Sequence, residues 1–96
     1  MSQPEMVLDS YGSKHWFLNR ERHREDGPAV EWPNGTKFWY LNNKWHREDG
    51  PAVERSNGTK QWFLNNKEVT WKEVFRNANG DLEKECRILT YALTNG

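Results

Sequence analysis

Two identical runs of nine residues carry the side chains best suited to chemistry. His23, Arg24, Glu25 and Asp26 open the first, which ends at Glu31; His46, Arg47, Glu48 and Asp49 open the second, which ends at Glu54. An imidazole with carboxylates could ligate a metal. Beside a nucleophile it could act as a general base. The metal reading pairs each His with the Asp three residues on, but His15 has no counterpart in the other units, so nitrogen donors are few. The general-base reading lacks a Ser, Cys or Lys held in register with the His. Ser13 stands at a turn without a triad around it. No glycine-rich run opens a helix to cradle phosphate. The expectation is a protein without catalytic residues, metal or cofactor, and not an enzyme. An active site is needed once per chain, whereas a scaffold repeats what every unit requires. Asp before Gly is a turn residue that bonds the backbone ahead. Arg can stack on Trp or pair with Glu31 or Glu54 of an adjacent unit.

The runs lie 23 positions apart because they belong to a longer repeat. Units at 12–34 and 35–57 share 15 of 23 positions, and a third, beginning at Gly58, matches the second at eight of its first ten. The third unit then diverges, with Glu68-Val69-Thr70 where His-Arg-Glu would begin. Internal periodicity of this length signals a repeat architecture. Each unit reads as β. Short aromatic stretches such as Lys37–Leu41 suit strands. Asn34-Gly35 and Asn57-Gly58 read as type I′ hairpin turns. Asn42-Asn43 and Asn65-Asn66 read as a weaker second turn. Asp-Gly-Pro breaks the chain a third time, with Gly free to take unusual backbone angles before a Pro that cannot donate to a ladder.

Alternation along the strands places Trp16, Trp39 and Trp62 on one face with Leu18, Leu41 and Leu64, and Phe17, Tyr40 and Phe63 on the other. The Trp/Leu ladder is the expected core. The Phe/Tyr face, joined by Trp32 and Trp45, is the candidate surface for a protein partner, since interfaces favour Trp, Tyr and Arg. Trp32 aligns with Arg55, and Trp45 with Arg22. Residues that differ between units are less constrained by the fold, which puts Arg22 and Arg55 in the same candidate surface. Lys14, Lys37 and Lys60 form a ladder that could follow phosphates while rings stack on bases. Lysines also discourage edge pairing. A formal net charge of zero opposes nucleic-acid binding, which draws its affinity from surplus positive charge.

The last third changes character. Thr70 to Glu73 has the form of a capping box. Asn79-Gly80 would close that helix and Asp81 would cap another. Leu82, Cys86, Leu89 and Leu93 fall at helical spacing, joined by Ile88 and Ala92, which predicts a buried stripe. Cys86 to Leu93 also alternates as a strand would; a helix is favoured. The expected fold is α+β: antiparallel β-hairpin repeats in a single twisted sheet over 11–69, capped by one or two C-terminal helices over 70–96, in one domain of residues 1–96. An open repeat array needs such an end. Apolar residues are only 34%, yet the chain has six Trp, three Tyr and four Phe, so large rings must make the few core contacts. A single Cys excludes an internal disulfide and fits a reducing cytosol. No apolar run approaches membrane-span length, and the N-terminal residues hold no signal-peptide core.

The 23-residue period, Asn-Gly before a Lys-aromatic strand and the Gly-centred break resemble MORN repeats. The wording Gly35-Thr36-Lys37 to Leu41-Asn42-Asn43-Lys44, followed by His46 to Glu54, is more closely similar to a MORN-variant repeat of small tailed-bacteriophage proteins. The resemblance covers about 11–69. It is silent on 1–10 and supports only the helical end of 70–96. The glycines of the usual Tyr-x-Gly-x-Trp-x-x-Gly unit are missing, and Leu-Asn-Asn replaces its second turn. The resemblance implies hairpins in one elongated sheet and a role in protein interaction or oligomerisation. It further implies a host protein as partner, inhibited or modulated by steric occlusion in the cytoplasm of an infected bacterial cell, with a defence component (as in anti-CRISPR inhibition) the expected target. Nucleic-acid or nucleotide binding through the lysines, and self-assembly as a homodimer through a sheet edge or face, are the alternatives. No membrane role is implied.

Overall fold

The computed structural model describes residues 3–95, with side chains to residue 93; residues 1, 2 and 96 of the expected domain lie outside the described residues. The strands are β1 (Glu5–Leu8), β2 (Lys14–Leu18), β3 (Glu21–Arg22), β4 (Val30–Glu31), β5 (Lys37–Phe38), β6 (Tyr40–Leu41), β7 (Lys44–Trp45), β8 (Val53–Glu54), β9 (Lys60–Leu64) and β10 (Lys67–Val69). Two helices follow, α1 (Trp71–Ala78) and α2 (Leu82–Asn95). The class is α+β. Eight strands form one antiparallel sheet in the order β1-β2-β4-β5-β8-β9-β10, with β3 paired to β2. In the second unit β6 and β7 form a two-stranded ribbon set off from β5 at Trp39, whose own amide still donates to the Ala52 carbonyl (2.7 Å). β1 comes from the stretch on which the repeat pattern is silent, and it adds an edge strand to the first unit.

The turn assignments are reversed. Both central residues have positive φ at Asn19-Arg20, Asn42-Asn43 and Asn65-Asn66, so these are the tight hairpin turns. At Asn34-Gly35 only the glycine does (φ 95). There the Gly35 amide donates to the Trp32 carbonyl (3.0 Å), and the Trp32 amide to the Thr36 carbonyl (2.9 Å). Asn34 Oδ1 accepts the Thr36 amide at 2.9 Å, an asparagine used as an acceptor and not as a left-handed residue. The third unit turns the same way with Ser56 in place of Pro33: the Gly58 amide donates to the Arg55 carbonyl (2.9 Å) and Asn57 Oδ1 accepts the Thr59 amide (2.9 Å), so the shared cause is the asparagine acceptor followed by a left-handed glycine. Arg20 is the odd member of the tight-turn set, holding φ 69 where the other units have Asn43 and Asn66. A side chain longer than Asn is strained there. Arg20→Asn should therefore raise stability by about 0.5–1 kcal/mol. Urea unfolding reads this as a higher midpoint at unchanged slope; an unchanged midpoint would mean that Arg20 is not strained.

Register makes two ladders across the sheet. His15, Val30, Phe38, Val53 and Gln61 lie directly opposite one another in succession. The neighbouring row is Lys14, Glu31, Lys37, Glu54, Lys60. Opposite charges face each other at every step, which favours this register.

The core corrects the expected division of faces. Val30, Phe38, Ala52, Val53 and Phe63 are buried together, with Trp39, Tyr40 and Trp45 packed against them. The phenylalanine side therefore supplies the sheet's main core. Trp62 and Leu64 of the other ladder pack with Val69 against a second cluster, Val74, Ala78 and Ile88 of the two helices. The reason is coverage: among the Trp rungs only Trp62 lies beneath helices, while Trp16 and Trp39 are capped by arginines (below).

Thr70 is the N-cap of α1, but its side chain makes no cap hydrogen bond, so the capping box holds in position and not in chemistry. Asn79 ends α1 in the left-handed conformation (φ 50). Asp81 Oδ1 accepts the Lys84 amide at 3.2 Å and caps α2. The stripe expected on α2 is covered only in part, with Leu89 and Ala92 half-buried. Ile88 is fully buried, whereas Leu82, Cys86 and Leu93 are exposed. Cys86 is two residues from Ile88, about 200° round the helix. No helix of the described residues is long and apolar enough to cross a membrane.

Candidate functional site

The nine-residue run folds as a corner between two strands. Asp26 does not bond the backbone ahead of it. Its Oδ1 accepts Arg24 Nε at 3.0 Å, while Arg24 Nη1 donates to the Pro28 carbonyl at 3.1 Å. The guanidinium lies over the Trp16 ring, 4.0 Å from its centre. The second corner repeats this. Arg47 reaches Asp49 (2.9 Å) and the Pro51 carbonyl (3.1 Å), and lies 3.7 Å over Trp39. Gly27 and Gly50 are not among the residues with positive φ. They are glycines because a Cβ at either would stand 2.7 Å from the guanidinium carbon of Arg24 or Arg47. Planar arginine is sandwiched between an indole and bare backbone, an arrangement that lysine could not fill.

The histidines link units. His23 Nδ1 accepts the Asn42 amide at 3.0 Å, and His46 Nδ1 accepts the Asn65 amide at 3.0 Å. A ring nitrogen that accepts an amide proton leaves its hydrogen on Nε2. That hydrogen points to Glu25 Oε2 (3.5 Å) in the first corner and Glu48 Oε2 (3.1 Å) in the second. Each ring thus spans from the next unit's turn to a carboxylate of its own corner. Among the described residues no group of three or more His, Cys, Asp or Glu is placed to hold a metal ion.

The two corners differ in what covers them. α2 lies over the second. Lys84 Nζ meets Glu48 at 2.8 Å and Arg87 meets Asp49 at 2.9 Å. The Tyr91 hydroxyl accepts Arg47 Nη2 at 3.3 Å, and its ring packs edge-on to Trp62 with centres 6.4 Å apart. Lys84 and then His46 hold the Glu48 carboxyl below its ordinary range. Burial pushes Asp49 up, but the hydrogen bonds of Arg47 and Arg87 outweigh it and leave that carboxyl lowered. Sequence reasoning missed Lys84, Arg87 and Tyr91. Their i, i+3, i+7 spacing on one helix face was the available signal. Beside the covered corner runs a groove of about 270 Å³, whose walls include Arg24, Glu25, Trp39, Leu41 and Lys84.

The other candidate residues scatter. Trp32 is 42% exposed and packs edge-on against Phe38 at 5.1 Å. Arg55, also exposed, stands 6.0 Å from the same Phe38 ring. Phe63 is 7% exposed and offers a partner little surface. Trp45 is wedged among Phe63, Phe38 and Tyr40, with ring centres at 4.9, 6.0 and 6.2 Å. Arg22 does the same one unit earlier, 5.6 Å from Phe17 and 5.8 Å from Tyr40. Arg22 and Trp45 differ in type yet both bridge successive rungs, so each has a packing role within the array. Phe17 and Tyr40 are half-buried beneath them. Lys14, Lys37 and Lys60 alternate with Glu31 and Glu54 across the register, which leaves the ladder a surplus of one positive charge. Compared with known proteins, the chain matches no family model, no curated protein and no solved structure.

Proposed function

We propose that this chain is a MORN-like repeat protein of the tailed-bacteriophage kind, which works by binding and not by catalysis. Its partner is a host protein, a component of the host's defence, which it inhibits by covering a surface in the cytoplasm of the infected cell. One observation carries the reading: Trp32 stands exposed at a position where the neighbouring unit has Arg55. The arginines and histidines that both units keep are bonded within the repeat array, Arg24 to Asp26, Arg47 to Asp49 and each His to the next unit's turn, so they support the scaffold. Trp32 and Pro33 instead line a shallow depression of about 250 Å³ with Lys14, Glu31 and Lys37. A large ring beside alternating charges suits a protein surface better than a phosphate backbone.

Affinity capture from host-cell lysate tests this. The wild-type chain should retain one partner, and Trp32→Ala should lose most of it while the melting temperature moves by only a few degrees. Equal capture by Trp32→Ala would sink the assignment of this surface. A homodimer is the second reading, favoured by β1: Met6, Val7 and Leu8 are exposed on an edge strand. Light scattering across concentration separates the two.

A further inference from the structure

The two corners are the same nine residues, yet only one is occupied. In the second, a helix supplies Lys84 to Glu48, Arg87 to Asp49 and Tyr91 to Arg47 and Trp62. One repeat earlier, the equivalent residues are Glu25, Asp26, Arg24 and Trp39. Three of these four, Arg24, Glu25 and Trp39, already line the groove beside α2. Side-chain exposure records the vacancy: 82% for Glu25 and 88% for Asp26, against 43% for Glu48 and 20% for Asp49. Among the described residues, the side-chain partners of Glu25 and Asp26 are His23 and Arg24 of their own corner.

We propose that the first corner and its groove receive a helix of a partner protein, one that carries two basic residues at i and i+3 and an aromatic ring at i+7. This rests on the protein-binding reading above and names the partner's chemistry at a second surface.

Spacing favours it. Successive units are two strands apart in the sheet, as β2 to β5 and β5 to β9. Two strand spacings are roughly 10 Å. Packed helices lie at about 8–10 Å. A helix moved by one repeat from α2 would therefore sit beside it, in the groove, without collision. Charge favours it as well. Arg24 is matched by Asp26, Arg47 by Asp49 and Lys84 by Glu48, so among the described residues the Glu25 carboxylate is paired with no Lys or Arg and meets only His23. One difference separates the sites. Trp39 already carries Arg47, so an incoming ring would meet the guanidinium groups of Arg24 and Arg47 as Tyr91 now meets Arg47 at 5.1 Å. Rings favour such cations.

The test uses the full chain and a stapled helical peptide with the chain's own sequence from Asp81 to Leu93. The staple replaces Leu82 and Cys86, both exposed, because a free helix this short would be largely unfolded. The peptide should bind one-to-one by calorimetry, more weakly at high salt. The double variant Glu25→Lys with Asp26→Lys should lose roughly tenfold or more, since attractions become repulsions. A peptide with Lys84→Glu and Arg87→Glu should fail on the wild-type chain and bind the double variant. Circular dichroism of the double variant should be unchanged, since both carboxylates are exposed. The proposal is overturned if the peptide does not bind, if it binds the double variant equally well, or if only Glu48→Lys abolishes binding, which would mean that it displaces α2. All of this is measured on purified chain. Loss of the lysate partner would leave it standing, and its own failure would leave the Trp32 surface standing.

Discussion

Arg47→Ala should destabilise the chain by about 3 kcal/mol or more, while the same change one unit earlier, Arg24→Ala, should cost about 1 kcal/mol. The two arginines have the same neighbours in sequence and the same bonds within their corners. Their burial differs: the Arg47 side chain is 8% exposed and Arg24 24%. Removing Arg47 strands more than the corner. Asp49 keeps only Arg87, the Pro51 carbonyl loses its donor, Tyr91 loses its hydroxyl partner, and the Trp39 ring is uncovered. Glu54, 3.8 Å from Arg47, is left facing Lys37 and Lys60 alone. Buried polar groups without partners are what make such losses large. Arg24 leaves behind a carboxylate already in water, a part-buried Pro28 carbonyl and one face of an indole. Urea unfolding of the two variants side by side reads the gap. Equal losses would mean that α2 contributes nothing to the second corner and would undo the contrast between a filled and a vacant site.

Trp45→Ala should cost about 3 kcal/mol, in contrast to Trp32→Ala, which should stay within about 1 kcal/mol. The sequence places these two tryptophans together, as residues not demanded by the repeat. In space Trp45 touches three rings of the ladder, and Phe63 stays dry beneath it. Alanine would open a void that neighbouring strands cannot collapse to fill, because their register is pinned by backbone bonds on both sides. Its amide bond to Asn66 Oδ1 (2.8 Å) belongs to the backbone and would survive, so the loss measures the ring. Trp45→Arg should recover part of it, since Arg22 performs the same bridging between Phe17 and Tyr40. Chemical denaturation checks all three. If Trp45→Ala melted like Trp32→Ala, the aromatic ladder would not be a core.

Much of the architecture is legible without coordinates, because its causes are local. The 23-residue period, the hairpins, the corner at Asp-Gly-Pro, the stop at Asn79-Gly80 and the cap at Asp81 all follow from residues within a few positions of one another. So does the reading of His23 and His46 as scaffold: two faithful copies point to a need of every unit, and their ring nitrogens bridge to Asn42 and Asn65.

The errors arose where one local signal had two outcomes. Asn-Gly fits a type I′ turn or a wider loop, and in both units the asparagine's bond to the amide two residues on accompanies the wider one. Alternation separates two faces but does not say which is covered. A repeating sheet has no inside until something lies on it, so burial was set by where the arginines folded back and where the helices landed. The same holds for α2. Its periodicity presents both a leucine-rich side and an Ile88 side, and the sheet took the latter because Lys84, Arg87 and Tyr91 lie near that side, opposite the acids of the second corner.

The sequence by itself determined the repeat, its β character and the helical end, since these depend on backbone preferences that neighbours dictate. Only the tertiary structure decided that two identical corners are unlike. That difference comes from residues 36 or more positions away, through the docking of α2 on one and not the other. Sequence identity between repeats fixes what a corner can bind; the end of the array decides which corner is left open.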